Sequence, residues 1–92
     1  MTSDYTRDYS FVGLVKGYDE ESGLTIVEQR NKFSVGDKIE IFGPYTSYYE
    51  EEIKEMYNED GEPIDDAPHP QQILKIKFDR VPKENFIMRK KK

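Results

Sequence analysis

Val35-Gly36-Asp37-Lys38-Ile39-Glu40-Ile41-Phe42-Gly43-Pro44 reads as a turn, a strand and a stop. Gly36 sits in a break just before the strand. Lys38 and Glu40 then alternate with Ile39 and Ile41, the period-two pattern of a strand with one wet face and one buried face. Gly43-Pro44 ends it, because proline lacks the N–H that a ladder needs. Downstream, Gln72 to Phe78 repeats the pattern more clearly, with Leu74, Ile76 and Phe78 on one face and Lys75 and Lys77 on the other. Upstream, Tyr9 to Tyr18 is rich in β-formers: Tyr9, Phe11, Val12, Val15 and Tyr18. Asp19-Glu20-Glu21-Ser22-Gly23 is an acidic turn closed by a glycine, and Leu24 to Gln29 is a second strand, so the pair predicts a hairpin.

The remaining segments are shorter. Arg30 to Ser34 reads as an irregular connector. Tyr48 to Tyr57 fits a helix through Ile53, Met56 and Tyr57, and also fits alternation through Tyr49, Glu51, Ile53, Glu55 and Tyr57. We read a strand, because Asn58-Glu59-Asp60-Gly61 has the form of a hairpin turn leading into Pro63-Ile64. Pro68-His69-Pro70 forbids helix there. Val81-Pro82 opens a loop before Phe86-Ile87-Met88, a short closing strand. Six or seven short strands separated by turn signals predict an all-β fold, a sandwich or a small closed or partly open barrel. A barrel is attractive because curling removes edges that so short a chain could not otherwise cover. Residues 1–8 read as a flexible lead-in or linker, 9–89 as a single barrel domain and 90–92 as a basic tail.

Composition narrows the function classes. At 92 residues the chain holds one domain, and with 35% hydrophobic against 36% charged residues it has no room for a deep enzymatic pocket. It has no cysteine, so thiol nucleophiles, disulfides, Cys-based zinc sites and iron–sulfur sites are excluded. A single histidine, His69, excludes sites that need two. No apolar run approaches the roughly 20 residues of a membrane span, and no secretory leader opens the chain. These features predict a cytoplasmic domain with no cofactor, no metal and no membrane partner.

The net charge of −5 is unevenly spread: Glu50 to Asp66 holds nine acids and one base, and the rest holds 13 bases against 10 acids. The low pI therefore reflects one segment, which reads as a solvated hairpin or a contact surface, and leaves a nucleic-acid partner open. Within the basic remainder, Arg30-Asn31-Lys32-Phe33 places two cations and an amide beside an aromatic ring, a group that can contact phosphates and stack a base. The plainer alternative is scattered surface cations beside a core Phe33. Lys75 and Lys77 extend the candidate basic face. His69, stiffened between two prolines, either presents an imidazole to a ligand or packs at the entry to the last long strand. Asn58, Asp60 and Glu62 around Gly61 lack the ligand ladder of a calcium loop and read as a turn.

Several motifs in order carry a more specific message: Phe11-Val12-Gly13, Glu28-Gln29-Arg30-Asn31-Lys32-Phe33, Val35 to Pro44, Glu55-Met56-Tyr57-Asn58-Glu59-Asp60-Gly61-Glu62-Pro63-Ile64, and Ala67-Pro68-His69-Pro70-Gln71-Gln72. Together they resemble the C-terminal domain of the collagenase-like peptidase family, family thirty-two of the peptidases of unknown catalytic type. The resemblance implies a small β-barrel similar to the second-domain barrel of translation elongation factors. It also implies a piece of a larger enzyme whose catalytic domain precedes it. Members are named as proteases, and some resemble proteins that hydroxylate a tRNA uridine; no catalytic residue of that upstream domain maps onto this chain. Two expectations follow. One is a non-catalytic accessory module that helps the parent hold RNA or protein substrate, through Arg30, Asn31, Lys32, His69, Lys75 and Lys77. The other is a protein-interaction or lid module that packs on the catalytic domain or a partner subunit. A protease in its own right is the weakest reading, because no nucleophile–base constellation is present.

Overall fold

A computed structural model describes residues 9–44, 47–67 and 71–91. Among them there is no helix. The chain runs through β1 (Tyr9–Asp19), β2 (Leu24–Gln29), β3 (Phe33–Ser34), β4 (Lys38–Phe42), β5 (Tyr49–Glu52), β6 (Glu55–Asn58), β7 (Asp66–Ala67), β8 (Ile73–Lys77) and β9 (Ile87–Lys91). Seven strands form one antiparallel sheet in the order β5-β4-β9-β1-β2-β8-β6, and β3 pairs with β7 beside it. The sheet curls into a half-barrel, the partly open form of the expected all-β barrel.

The curl follows from connectivity. β5 and β6 are the two edges of the sheet, yet only Ile53 and Lys54 separate them in the chain. Two residues reach about 7 Å, so the edges must meet at this corner. Ile53 is fully buried there, and its backbone is gripped from both sides. Its N–H donates to the Asp37 carbonyl at 2.9 Å, and its carbonyl accepts from the Gly36 N–H at 2.7 Å. Gly36 makes this possible: at φ +99° it occupies a position in the turn before β4 that L side chains rarely adopt. Asp37 braces the same turn, its Oδ2 accepting from the Ser34 N–H at 2.8 Å and from Lys90 Nζ at 2.9 Å.

Alternation then fills the interior. Val27 on β2, Ile39 and Ile41 on β4, Leu74 and Ile76 on β8, and Met88 on β9 are all inaccessible to solvent. β1 bends twice to follow the curl, with register shifts between Phe11 and Gly13 and between Val15 and Gly17. Gly13 lies at the first, where an added Cβ would stand 2.9 Å from Val27 Cγ1.

Three sequence expectations change. The single strand read over Tyr48 to Tyr57 is two strands, because the corner at Ile53-Lys54 sends the chain from one sheet edge to the other. The connector read over Arg30 to Ser34 ends in the two-residue β3, paired with β7. The closing strand does not stop at Met88: β9 continues through Lys91, taking in two of the three residues read as a basic tail. The expected turns at Gly23 and Gly61 are present, each glycine at positive φ.

Ile53→Ala should therefore cost about 2–5 kcal/mol, read as a lowered denaturant midpoint. At Asp37, burial alone would raise the carboxyl's pKa, but hydrogen bonds from Lys90 and the Ser34 N–H hold it below its ordinary value of 3.8. The stability it contributes is complete above that ordinary value and is lost as pH falls through the lower folded-state value. Asp37→Asn should lower stability at neutral pH and flatten the acid limb of the stability–pH curve, as measured by denaturation at stepped pH.

Candidate nucleic-acid interface

β2 stops at Gln29, opposite Gly13, while β1 extends to Tyr9 with β9 as its partner. The carbonyls of Phe11 and Val12 are therefore left beyond the end of β2, and the loop that follows takes them up. The Arg30 N–H donates to the Val12 carbonyl at 2.8 Å, and Asn31 Nδ2 donates to the Phe11 carbonyl at 2.7 Å. Gln29 Nε2 donates to the Asn31 carbonyl at 3.2 Å from its buried position. The loop is thus fixed to the sheet, with the Arg30 guanidinium 5.5 Å from the Phe11 ring centre and 3.5 Å from Glu28.

The other sequence candidates lie elsewhere. Lys75 and Lys77 project from β8, on the far side of β2, and each meets an acid: Lys75 with Asp19 at 3.2 Å and Lys77 with Glu55 at 3.8 Å. The Lys75 hydrogen bond, with help from Ser22 and the Glu21 N–H, holds the Asp19 carboxyl below its ordinary range. His69 lies outside the described residues. So the structure brings Arg30 and Asn31 to one place beside Phe11 and leaves Lys75 and Lys77 apart, each, like Arg30, beside a carboxylate. Lys32 stands exposed in the same loop, with no carboxylate within 4.0 Å among the described residues.

A group that the sequence reading did not single out adjoins this loop. Arg89, on the outer face of β9, lies 4.1 Å from the Tyr9 ring centre, 4.9 Å from Phe42 and 5.6 Å from Tyr48. Its Nε donates to Glu40 Oε1 at 2.8 Å. Register explains the gathering, since Arg89 is the cross-strand partner of Phe11 on one side and Glu40 on the other. Phe11 and Tyr48 remain 41% and 58% exposed, and both adjoin Arg89, so their exposure is clustered rather than scattered. The available signal was the parity of the first strand: Tyr9 and Phe11 alternate with the buried Val12 face.

A second candidate is the groove of about 420 Å³ along β5, lined by Tyr49, Glu50, Glu51, Glu52, Lys54, Asp79 and Arg80. Its polar groups are largely committed to one another. Glu51 accepts from the backbone N–H groups of Asp79 at 3.0 Å and Arg80 at 2.7 Å, Tyr49 donates its hydroxyl to the Arg80 carbonyl at 3.1 Å, and Lys54 pairs with Asp79 at 3.0 Å. Burial and the Glu51 carboxylate push the Tyr49 hydroxyl up, against the pull of Arg80. This arrangement ties the 79–80 loop to the sheet edge and reads as structural.

Arg89→Ala should strand the Glu40 carboxylate, whose side chain is only 14% exposed, and cost about 1–3 kcal/mol. Arg89→Lys should recover part of the loss, since it restores charge without the planar stack. Denaturant midpoints of the two variants check this.

The comparisons agree with one another. Residues 7–89 match the family model of the peptidase family U32 C-terminal domain. The chain is 43% identical over 84 residues to the tRNA hydroxylation protein P1 of Bacillus subtilis (strain 168), covering 91% of this chain and 20% of that protein. It therefore spans about one fifth of the length of this curated relative. Two crystal structures of the C-terminal domain of a Geobacillus thermoleovorans protein assigned to the U32 peptidases match at 44% identity. The selenomethionine variant gives a TM-score of 0.80 over 88% of this chain and 99% of that one; the other gives 0.76 over 95% and 94%. The half-barrel, its sequence motifs and these likenesses converge: the chain belongs to the U32 peptidase C-terminal domain family.

Proposed function

We propose that this domain is a non-catalytic accessory module that helps a U32-family enzyme hold its macromolecular substrate, and that the substrate is RNA, specifically tRNA. The observation that carries this reading is the Arg30–Lys32 loop, pinned by Asn31 and the Arg30 N–H to β1 beside an exposed Phe11. Cations held next to an aromatic ring suit a phosphate with its adjoining base. Because the loop is fixed before binding, little ordering entropy is lost on contact. The name of the Bacillus subtilis relative, a tRNA hydroxylation protein, agrees with an RNA substrate. Lys75 and Lys77 have a smaller part in this reading, since they stand on β8, across β2 from the β1 edge that holds the loop.

The test is titration of unmodified tRNA with the 92-residue chain at several salt concentrations. Affinity should fall steeply between low and physiological salt. Arg30→Ala with Lys32→Ala should weaken binding and reduce the slope of log K against log salt by about 1 for each phosphate contact removed. Absence of tRNA binding at low salt defeats the reading.

A further inference from the structure

We propose that the outer face of β4, β9 and β1 is a stacking platform for a short single-stranded RNA segment, with Phe11 and Tyr48 as the rings that receive bases. This rests on the RNA reading above and specifies the form of RNA and the surface that takes it.

The platform is built into the sheet. Phe11, Arg89 and Glu40 stand in one cross-strand row over β1, β9 and β4. Neighbouring strands lie about 4.8 Å apart, so the row is about 10 Å across. Arg89 holds the Tyr9, Phe42 and Tyr48 rings around its guanidinium, and Arg30 lies beside Phe11 at the opposite end. Rings positioned in this way can accept a base without first being ordered.

Charge chooses the occupant. The acids that face this surface from β2 and β4, Glu28 and Glu40, are already held by Arg30 and Arg89. Lys91 is the cross-strand partner of Tyr9, and Lys38 lies two residues from Glu40 on the same face of β4. Neither has a carboxylate within 4.0 Å among the described residues, and Lys32 adds a third such cation at the loop. Glu50 and Glu52 lie on β5, opposite Glu40 and Lys38, and bound the surface at its acidic margin. Protein-binding faces with an aromatic core are depleted in lysine; this one carries lysines at the β1–β9 end and the loop, away from its Glu50–Glu52 margin, where a polyphosphate strand would run. A duplex hides its base faces and offers phosphates alone, so the rings would gain nothing from it.

Fluorescence anisotropy of the 92-residue chain with a labelled 12-nucleotide single-stranded RNA, and with a duplex of the same length, tests the proposal. The single strand should bind at least tenfold tighter. Phe11→Ala and Tyr48→Ala should each weaken single-strand binding roughly tenfold, in line with loss of one stacked base, and leave duplex binding within twofold. Circular dichroism checks that the variants remain folded. Should both variants keep full affinity while Arg30→Ala with Lys32→Ala loses it, the platform falls and the RNA reading stands. Equal affinity for duplex and single strand also overturns the platform. If neither RNA form nor tRNA binds, and the aromatic variants instead lose co-elution with the rest of the Bacillus subtilis relative, the face is a protein-docking surface and both proposals fall.

Discussion

The half-barrel depends on one corner. A seven-stranded sheet with its two edges joined by Ile53 and Lys54 must bring those edges together, and the corner is stable only if Ile53 is buried with its peptide groups satisfied. The turn before β4 supplies both partners, the Gly36 N–H and the Asp37 carbonyl. The Asp37 side chain then ties the turn to Ser34 and, through Lys90, to β9. Backbone satisfaction, apolar burial and one buttressed carboxylate thus act at the same point.

Charge follows the same economy. Six of the cations in the described residues meet a carboxylate within 4.0 Å, and most of these pairs tie one strand or loop to another: Lys75 to Asp19, Lys77 to Glu55, Arg89 to Glu40 and Lys90 to Asp37 among them. Exposed pairs such as Lys77–Glu55 contribute little stability. They do remove cations from the pool available to a polyanion. A count of basic residues therefore overstates the binding surface: Arg30 itself meets Glu28 at 3.5 Å, while Lys32 in the same loop is among the cations that pairing leaves over.

This separates what could be read in the sequence from what could not. Alternation exposed β4 and β8 directly, because Ile39, Ile41, Leu74 and Ile76 are all buried and their neighbours are not. Glycines at Gly23, Gly36 and Gly61 marked turns because each has positive φ. The corner at Ile53-Lys54 was hidden: Tyr48 to Tyr57 alternates smoothly through it, and only the pairing of β5 with β4 and β6 with β8 reveals the break. The site divided in the same way. Arg30 and Asn31 were visible as a local cluster, whereas the Arg89 group joins residues up to 80 positions apart. No window along the chain contains Tyr9, Phe42, Tyr48 and Arg89 together; β9 pairing between β1 and β4 creates the group.

Fold and candidate site meet at the first bulge of β1. The register shift between Phe11 and Gly13 is a response to curvature, and Gly13 lies there because Val27 and Met88 crowd the inner side. β2 reaches only as far as Gly13, so the preceding carbonyls need donors from another source. Arg30 and Asn31 provide them and are thereby held against Phe11. The position of the cationic loop is thus a consequence of curling the sheet. A mutation that relaxed the curl would release Arg30 and Asn31 without touching either residue, and the geometry of the surface is only as firm as the corner at Ile53.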